Sequence, residues 1–279
     1  MKLLDLHLGR PLVRDGLTLF PVWNGAAVTR RGYELHSQHL AVAERAGQPV
    51  VSELVVTNNG ARPLVVLAGE LLEGGQQHRL AARSTIVERG EAAVLDVRCV
   101  EEGRWSGDHT HRRSGRVAPV SGRGAADQLA VWNHVRHYEQ TYGATATHSV
   151  LDATTAPDAA ARRLVADLRP LAFQCGVLVG IGGQPLLLDV FDSPRTLTAV
   201  WRDLLLSAAL DAVAAPPVPT PGRRARRFLE RLATVPLEPQ SGSTATILSS
   251  DHVRLEALVW QGRAVHTVAT NIRHELVSA

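Results

Sequence analysis

Lysine is almost absent from this chain of 279 residues, and Lys2 is its only one. A phosphate-binding Walker loop needs a lysine before Ser or Thr, and a pyridoxal enzyme needs a lysine for its Schiff base. The Ser-x-x-Lys site of β-lactamase-type hydrolases needs one as well. The sequence therefore excludes these three classes of active site.

Cysteine and long apolar runs are also scarce. Cys99 and Cys175 are too few for a disulfide framework or an all-cysteine zinc site. Each lies in an apolar run, which is typical of buried structural thiols. The chain contains no stretch of 18 apolar residues without a charge, so we expect no membrane span. Residues 1–11 lack the apolar region of a signal peptide, which favours a cytoplasmic protein.

Composition describes an ordinary globular chain with a size near two domains: 45% of residues are hydrophobic and 20% are charged. The formal charge of +3 is small for this length. Arginines cluster at 112–123 and 223–227, but no aromatic side chains are interleaved with them. Because single-stranded nucleic acids bind to stacked aromatics beside basic groups, the pattern indicates solvated charge and makes nucleic acid an unlikely partner.

The pattern of strands and helices predicts an α+β fold. Residues 1–105 read as short strands separated by turns, which predicts a β-rich domain of the sandwich or barrel-like type. Within it, 63–72 is almost continuously apolar, as a buried strand would be, and 85–100 reads as a hairpin.

The second half has a different character. Residues 106–126 are rich in Gly, Ser and Arg and are predicted as a long loop. Residues 127–279 are predicted as an α+β domain with several helices and two β-hairpins, at 176–191 and 253–269. A Pro-rich connector at 215–222 stiffens this half. The connector and an open sheet edge would both permit a homo-oligomer.

Two strand ends carry the most unusual polar residues. The apolar run 63–72 leads into Gly-Glu-Leu-Leu-Glu-Gly-Gly-Gln-Gln-His-Arg at 69–79, and a second apolar strand ends in Glu-Glu-Gly-Arg-Trp at 101–105. Charged groups beside buried strands need partners or a ligand, because desolvating them alone costs several kcal/mol. We expect these groups to converge on one pocket: Glu70, Gln77, Arg79, Glu101 and Arg104. The alternative is a structural network of ion pairs that closes a sheet edge.

The same segments resemble the ARPP-1 family domain. The resemblance rests on 69–79, on Ser-Thr-Ile-Val at 84–87 and on 99–105. It extends to Gln128 with Trp132, to Gln-x-Gly at 174–176 and to Asp-x-Phe-x-Ser-Pro at 189–194. The family takes its name from its association with ADP-ribosylglycohydrolase and rhodanese-phosphatase domains. The resemblance therefore implies a cytoplasmic role around ADP-ribose or related phosphorylated nucleotides. This chain departs from the family pattern in two places. Leu71 stands where the family has a second Glu, and Gln-Gln-His-Arg at 76–79 stands where the family has Lys-Gln-Asn-Arg.

Three hypotheses follow for the function. In the first, the chain binds or processes a small phosphorylated ligand related to ADP-ribose. Arg79 and Arg104 would bind its anionic oxygens, and Glu70 or Glu101 would serve as acid and base. Gln77 would orient the ligand, and Trp105 would offer a stacking face.

In the second, the chain is a non-catalytic binding or scaffold module, which the carboxylate missing at Leu71 favours. In the third, it is a divalent-metal enzyme of cupin-like type that uses histidines such as His109 and His111, although no glutamate follows at the cupin spacing. The sequence names no cofactor.

Overall fold

The computed structural model describes residues 5–233 and 245–278. The strands are, in chain order, β1 (Leu6–Leu8), β2 (Leu12–Arg14), β3 (Leu17–Asn24), β4 (Leu40–Ala43), β5 (Glu53–Asn58), β6 (Leu64–Val66), β7 (Glu70–Gly74), β8 (Arg79–Ala81), β9 (Thr85–Val87), β10 (Ala92–Cys99), β11 (Thr110–Val117), β12 (Gly176–Ile181), β13 (Gln184–Phe191), β14 (Ala245–Ser249), β15 (Val253–Trp260) and β16 (Arg263–Asn271). The helices are α1 (Val120–Arg123), α2 (Gln128–Tyr142), α3 (Val150–Ala153), α4 (Thr155–Val165), α5 (Pro194–Ala212), α6 (Gly222–Ala233) and α7 (Glu275–Ser278).

The chain forms two compact units, and the α+β class predicted from the sequence is confirmed. One, here called the barrel unit, comprises residues 32–159. The other, the sheet unit, comprises residues 1–31 and 160–278. This division differs from the predicted boundaries at 105 and 127. Because β3 pairs with β12, the first strands belong with the second half of the chain, and such long-range pairing leaves no local sequence signal.

The sheet unit is built on an eight-stranded antiparallel sheet with the order β1-β3-β12-β13-β16-β15-β14, in which β2 also pairs with β3. Both predicted hairpins are confirmed, as β12–β13 and β15–β16. Helix α6 has apolar residues at a helical spacing, and Ala225, Phe228 and Leu232 pack into a core with Val190 and other sheet residues. Helix α5 is capped at its N-terminus by the hydroxyl of Ser193 and packs on β12 and β13.

The barrel unit contains a closed six-stranded barrel with the order β10-β5-β4-β11-β7-β8. Its strands alternate inward and outward side chains, and the inward residues form an apolar core. Members of this core on the barrel strands include Val42, Leu54, Val56, Leu72, Ala81, Leu95 and Val97. On the outside, Leu71 and Leu80 pack with Val131 and Val135 of α2.

Three local predictions in the barrel unit were wrong. Residues 106–126 were predicted as a loop but contain β11 and α1, because β11 pairs with both β4 and β7 and so closes the barrel. The run 63–72 is split into β6 and β7 at Gly69, whose φ of +90° lies outside the extended region. Residues 85–100 do not form a hairpin: β9 pairs with β6, whereas β10 pairs with β5 and β8.

Among residues 5–233 and 245–278, no helix has the length and apolar character needed to cross a membrane.

Helix α2 carries a buried histidine, which bears on how the stability of the barrel unit depends on pH. His134 lies on the same buried face as Val131 and Val135, and within the described residues its Nε2 has no hydrogen-bond partner. Burial lowers the pKa of His134 to about 4, and nearby His137 adds to the shift. The folded state therefore keeps His134 neutral at a pH where the unfolded chain takes up a proton, so stability falls as the pH drops below about 6.5.

We expect the His134→Gln variant to lose less stability on acidification than the wild-type protein. Between pH 7 and pH 5 the wild-type protein should lose about 2 kcal/mol through this one histidine, and the variant should lose none through it. Urea unfolding at both pH values measures the difference, with the exposed His109→Gln as the matched control. An equal pH dependence in wild type and His134→Gln would contradict the assignment.

Candidate functional site

The candidate site lies where several barrel strands end together. In this antiparallel barrel, the ends of β4, β7 and β10 and the starts of β8 and β11 meet at one end. Arg79 starts β8 opposite Cys99, the last residue of β10. His111 lies near the start of β11, opposite Val42, and Glu44 follows β4 directly. We call Glu44, Gln77, Arg79, Cys99 and His111 the barrel-end cluster.

Among the described residues, Arg79 is the largest with no exposed surface. It follows the inward alternation of β8, because Ala81, two residues on, belongs to the barrel core. Its Nη1 donates to Gln77 Oε1 at 3.1 Å, and its Nη2 lies 3.8 Å from Glu44 Oε1, too far for a hydrogen bond. The ring of Trp105 covers the guanidinium, with 5.6 Å between the ring centre and Cζ. Within the described residues, Nε and Nη2 of Arg79 are buried and have no hydrogen-bond partner.

Those two nitrogens share one edge of the planar guanidinium. Side by side they form the fork that binds two oxygens of a carboxylate or phosphate. Burial lowers the pKa of Arg79, while Cys99 and Glu44 act in the opposite direction. The cluster therefore contains a buried cation, and within the described residues no group accepts a hydrogen bond from its Nε–Nη2 edge.

Glu44 and His111 form a second buried pair in the cluster. Both side chains have no exposed surface, and His111 Nε2 lies 3.1 Å from Glu44 Oε1. The same oxygen accepts a hydrogen bond from the backbone N–H of Gln76. When the Glu44 carboxylate is ionised it can only accept, so Nε2 is then the donor in the contact with His111. Burial lowers the pKa of His111, and the hydrogen bond to the Glu44 carboxylate opposes that shift. Within the described residues, Glu44 Oε2 and His111 Nδ1 also have no hydrogen-bond partner.

A glycine makes room for this pair. Gly75 has a φ of +56°, and a Cβ built there would lie 2.0 Å from His111 Nε2 and 2.8 Å from Glu44 Oε1. Any larger residue at this position would force the two side chains apart. The backbone turn after β7 and the Glu44–His111 contact thus depend on the same glycine.

Glu101 and Arg104 form a clamp beside the cluster. Arg104 Nε and Nη2 donate to the two carboxylate oxygens of Glu101 at 2.8 and 2.6 Å, and Arg104 Nη1 donates to the carbonyl oxygens of Gly75 and Ser106. The backbone N–H of His78 also donates to Glu101. Burial raises the pKa of Glu101, but the hydrogen bonds from Arg104 and His78 outweigh it and hold that pKa below its usual value. The pair therefore ties together the loops after β7 and β10.

Cys99 is held in place from two sides. Its thiol donates to the carbonyl oxygen of Glu101 at 2.9 Å, and the Gln128 side chain bonds to both its backbone N–H and its carbonyl oxygen. Burial raises the pKa of the thiol. These contacts support the prediction of a buried structural cysteine, and Cys175 is buried too.

Of the sequence-predicted site residues, five lie together and one does not. Gln77, Arg79, Glu101, Arg104 and Trp105 are linked by the contacts above. Glu70 instead starts β7, the strand whose other end faces the cluster, and both of its carboxylate oxygens contact Arg113, one of them at 2.6 Å from Nη2. The register explains the separation, because Leu72 and not Glu70 is opposite Arg79.

Sequence reasoning missed Glu44 as a site residue and considered His111 only as a metal ligand. Glu44 is the first polar residue after the apolar strand β4, the same signal that marked Glu101. His111 alternates with exposed residues along β11, a pattern hidden by the Gly- and Arg-rich composition around it. In the described parts of the chain, no group of three or more His, Cys, Asp or Glu side chains is placed to hold a metal ion.

A family profile, the ARG and Rhodanese-Phosphatase-superfamily-associated Protein domain, matches residues 5–270. The chain belongs to the ARPP-1 family. The match spans both units of this ARPP-1 protein, and the family description links the domain to the ARG and rhodanese-phosphatase superfamily without stating a reaction. No curated protein and no solved structure matches the chain.

The Gly75→Ala variant tests the close packing of the Glu44–His111 pair. We expect it to lower the free energy of unfolding by about 2 kcal/mol more than Gly90→Ala does, because overpacking adds to the backbone strain. Gly90 is the matched control, since its φ is +73° but a Cβ there has nothing within 4 Å. Urea unfolding measures both variants. An equal loss in the two would contradict the prediction, because it would show that Glu44 and His111 move aside without lowering the free energy of unfolding.

Proposed function

We propose that this ARPP-1 protein binds a small phosphorylated, nucleotide-type ligand related to ADP-ribose at the barrel-end cluster, in the cytoplasm. The observation that carries the proposal is the buried edge of Arg79, where Nε and Nη2 have no hydrogen-bond partner within the described residues. A buried donor without a partner costs free energy, and a buried cation costs more. A phosphate oxygen pair at this edge would satisfy both nitrogens and neutralise the charge.

Trp105 gives the proposal its second contact. It is 47% exposed although its ring covers the most buried cation of the cluster. A base or ribose that stacks on this ring would bring its phosphates to the Arg79 edge beneath it. Gln77, which holds Arg79 Nη1 through its Oε1, then orients the guanidinium toward the ligand.

The structure favours different residues for acid–base chemistry from those that the sequence indicated. Glu101 is held by Arg104 with a lowered pKa, and Glu70 is held by Arg113, so neither carboxylate has a proton-transfer role that its contacts support. Glu44 and His111 lie beside Arg79, and each retains a buried polar atom without a hydrogen-bond partner in the described residues. We assign them the acid–base role if the bound ligand is processed.

A non-catalytic binding module is the second candidate. Both glutamates that the sequence predicted as catalytic favour this candidate, because Glu101 is paired with Arg104 and Glu70 with Arg113. Incubation of the protein with ADP-ribose, followed by chromatography of the nucleotide, separates the two candidates. A binding module returns the ligand intact, whereas an enzyme converts it, and His111→Asn then slows the conversion.

Calorimetric titration with ADP-ribose tests the binding proposal. We expect saturable binding in the micromolar range, about −8 kcal/mol, from one bidentate phosphate contact and one stacked ring. Arg79→Lys keeps the charge but loses the planar fork, so we expect its affinity to be at least about tenfold weaker. Arg83→Lys is the matched control, since Arg83 pairs with Asp96 on the surface of the same unit.

Circular dichroism of each variant confirms that the fold is retained. Wild-type affinity in Arg79→Lys, or the absence of heat with the wild-type protein at millimolar ADP-ribose, would contradict the proposal. The Arg79–Glu44 contact would then be a structural ion pair that closes the barrel.

A further inference from the structure

We propose that the sheet unit contains a second ligand site, for a small amphipathic anion, in a cavity between α4, the loop after it and α5. The cavity has a volume of about 540 Å³. Sites for small molecules typically span about 300–1,000 Å³. All of its lining residues, which begin at Arg162, belong to the sheet unit, so the site is separate from the barrel-end cluster.

The walls of the cavity are apolar. Val165, Leu168, Trp201 and Leu205 contribute to them, and all four are buried. Trp201 has one polar group, its indole N–H, and this donates to the carbonyl oxygen of Leu168 at 3.2 Å. The tryptophan therefore has no further hydrogen bond to offer, and it presents carbon to the cavity. Such walls suit an acyl chain or an aryl ring.

The rim of the cavity is basic. Arg162, Arg169 and Arg202 line it, and none of the lining residues that the structure describes is acidic. Arg169 is fixed there, because its Nη1 donates to the carbonyl oxygens of Ala166 and Leu168 at 3.1 and 2.8 Å. Positive charges on one rim attract an anion, and a carboxylate or phosphate there would pair with Arg169 or Arg202.

Side-chain hydrogen bonds hold the backbone of the loop that bounds the cavity. The buried side chain of Gln174 accepts a hydrogen bond from the backbone N–H of Leu171 at 2.9 Å and donates to the carbonyl oxygen of Gly176 at 2.8 Å. Trp23 donates to the carbonyl oxygen of Ala172 at 3.0 Å. This is a structural role for the Gln-x-Gly segment at 174–176, which the barrel-end site does not use. A loop held in this way preforms the cavity, so less ordering opposes binding.

Apolar walls beneath a basic rim select a ligand with an apolar body and one anionic head. Decanoate represents this class, decyl phosphate carries the alternative anionic head on the same chain, and 1-decanol is its neutral analogue. Decyltrimethylammonium carries the opposite charge on the same chain. The four compounds therefore separate recognition of the head group from burial of the chain.

Displacement of the fluorescent anion 8-anilinonaphthalene-1-sulfonate from the full chain measures this selectivity. We expect decanoate and decyl phosphate to displace it at concentrations at least about tenfold lower than 1-decanol, with decyltrimethylammonium the weakest. The double variant Arg169→Gln/Arg202→Gln should bring decanoate to the level of 1-decanol. Arg195→Gln, at an exposed position on α5 outside the cavity lining, should leave the order unchanged.

Ala166→Trp gives an independent readout, since Ala166 lines the cavity at an exposed position and an indole there would take up part of the space that the ligand needs. We expect this variant to keep its circular dichroism spectrum and to lose the decanoate-displaceable fluorescence. Undiminished displacement in Ala166→Trp would overturn the site. Equal displacement by decanoate and 1-decanol in the wild-type protein would overturn the anion assignment, and so would the absence of saturable fluorescence.

Discussion

A guanidinium cation without exposed surface lies at the end of a hydrophobic barrel, and the residues around Arg79 are arranged to make that burial possible. Removing an ion from water costs several kcal/mol unless opposite charge and hydrogen bonds replace the solvent. Glu44 supplies the charge and Gln77 one hydrogen bond, while Trp105 adds the face of its ring. The polar end of the barrel exists because these groups converge from strands that are distant in sequence.

Glu44 compensates the buried charge of Arg79 only in part. His111 Nε2 and the backbone N–H of Gln76 both lie at hydrogen-bond distance from Glu44 Oε1, and Arg79 Nη2 remains 3.8 Å from the same oxygen. The charge of Arg79 is therefore balanced at a distance, while the hydrogen bonds of its outer edge are not made by described side chains. In a structural ion pair, the buried N–H donors are expected to have hydrogen-bond partners within the protein. In a site for an anion, the donors that bind the anion are expected to lack such partners until it binds. This difference is what connects the geometry to a phosphorylated ligand.

The sequence indicated the fold class and much of the cluster through local signals. Alternating and continuous apolar runs predicted the β-rich first part and both later hairpins. Polar residues at strand ends identified Gln77 and Arg79 of the cluster and the neighbouring Glu101 and Arg104. What failed depended on long-range pairing. Strand β11 is recognisable only from its partners β4 and β7, and the exclusion of Glu70 follows from a register that no local pattern encodes. Glu44 follows an apolar strand as Glu101 does, but its place beside Arg79 depends on the closure of the barrel.

A crystal structure of the protein with bound ADP-ribose tests most directly whether the Nε–Nη2 edge of Arg79 is an anion site. We predict two phosphate oxygens within about 3 Å of Arg79 Nε and Nη2, the hydrogen-bond range for such pairs. The Trp105 ring is predicted to lie against the base or ribose. A structure in which Glu44 closes onto that edge at hydrogen-bond distance, with the nucleotide bound elsewhere or not at all, would contradict the account.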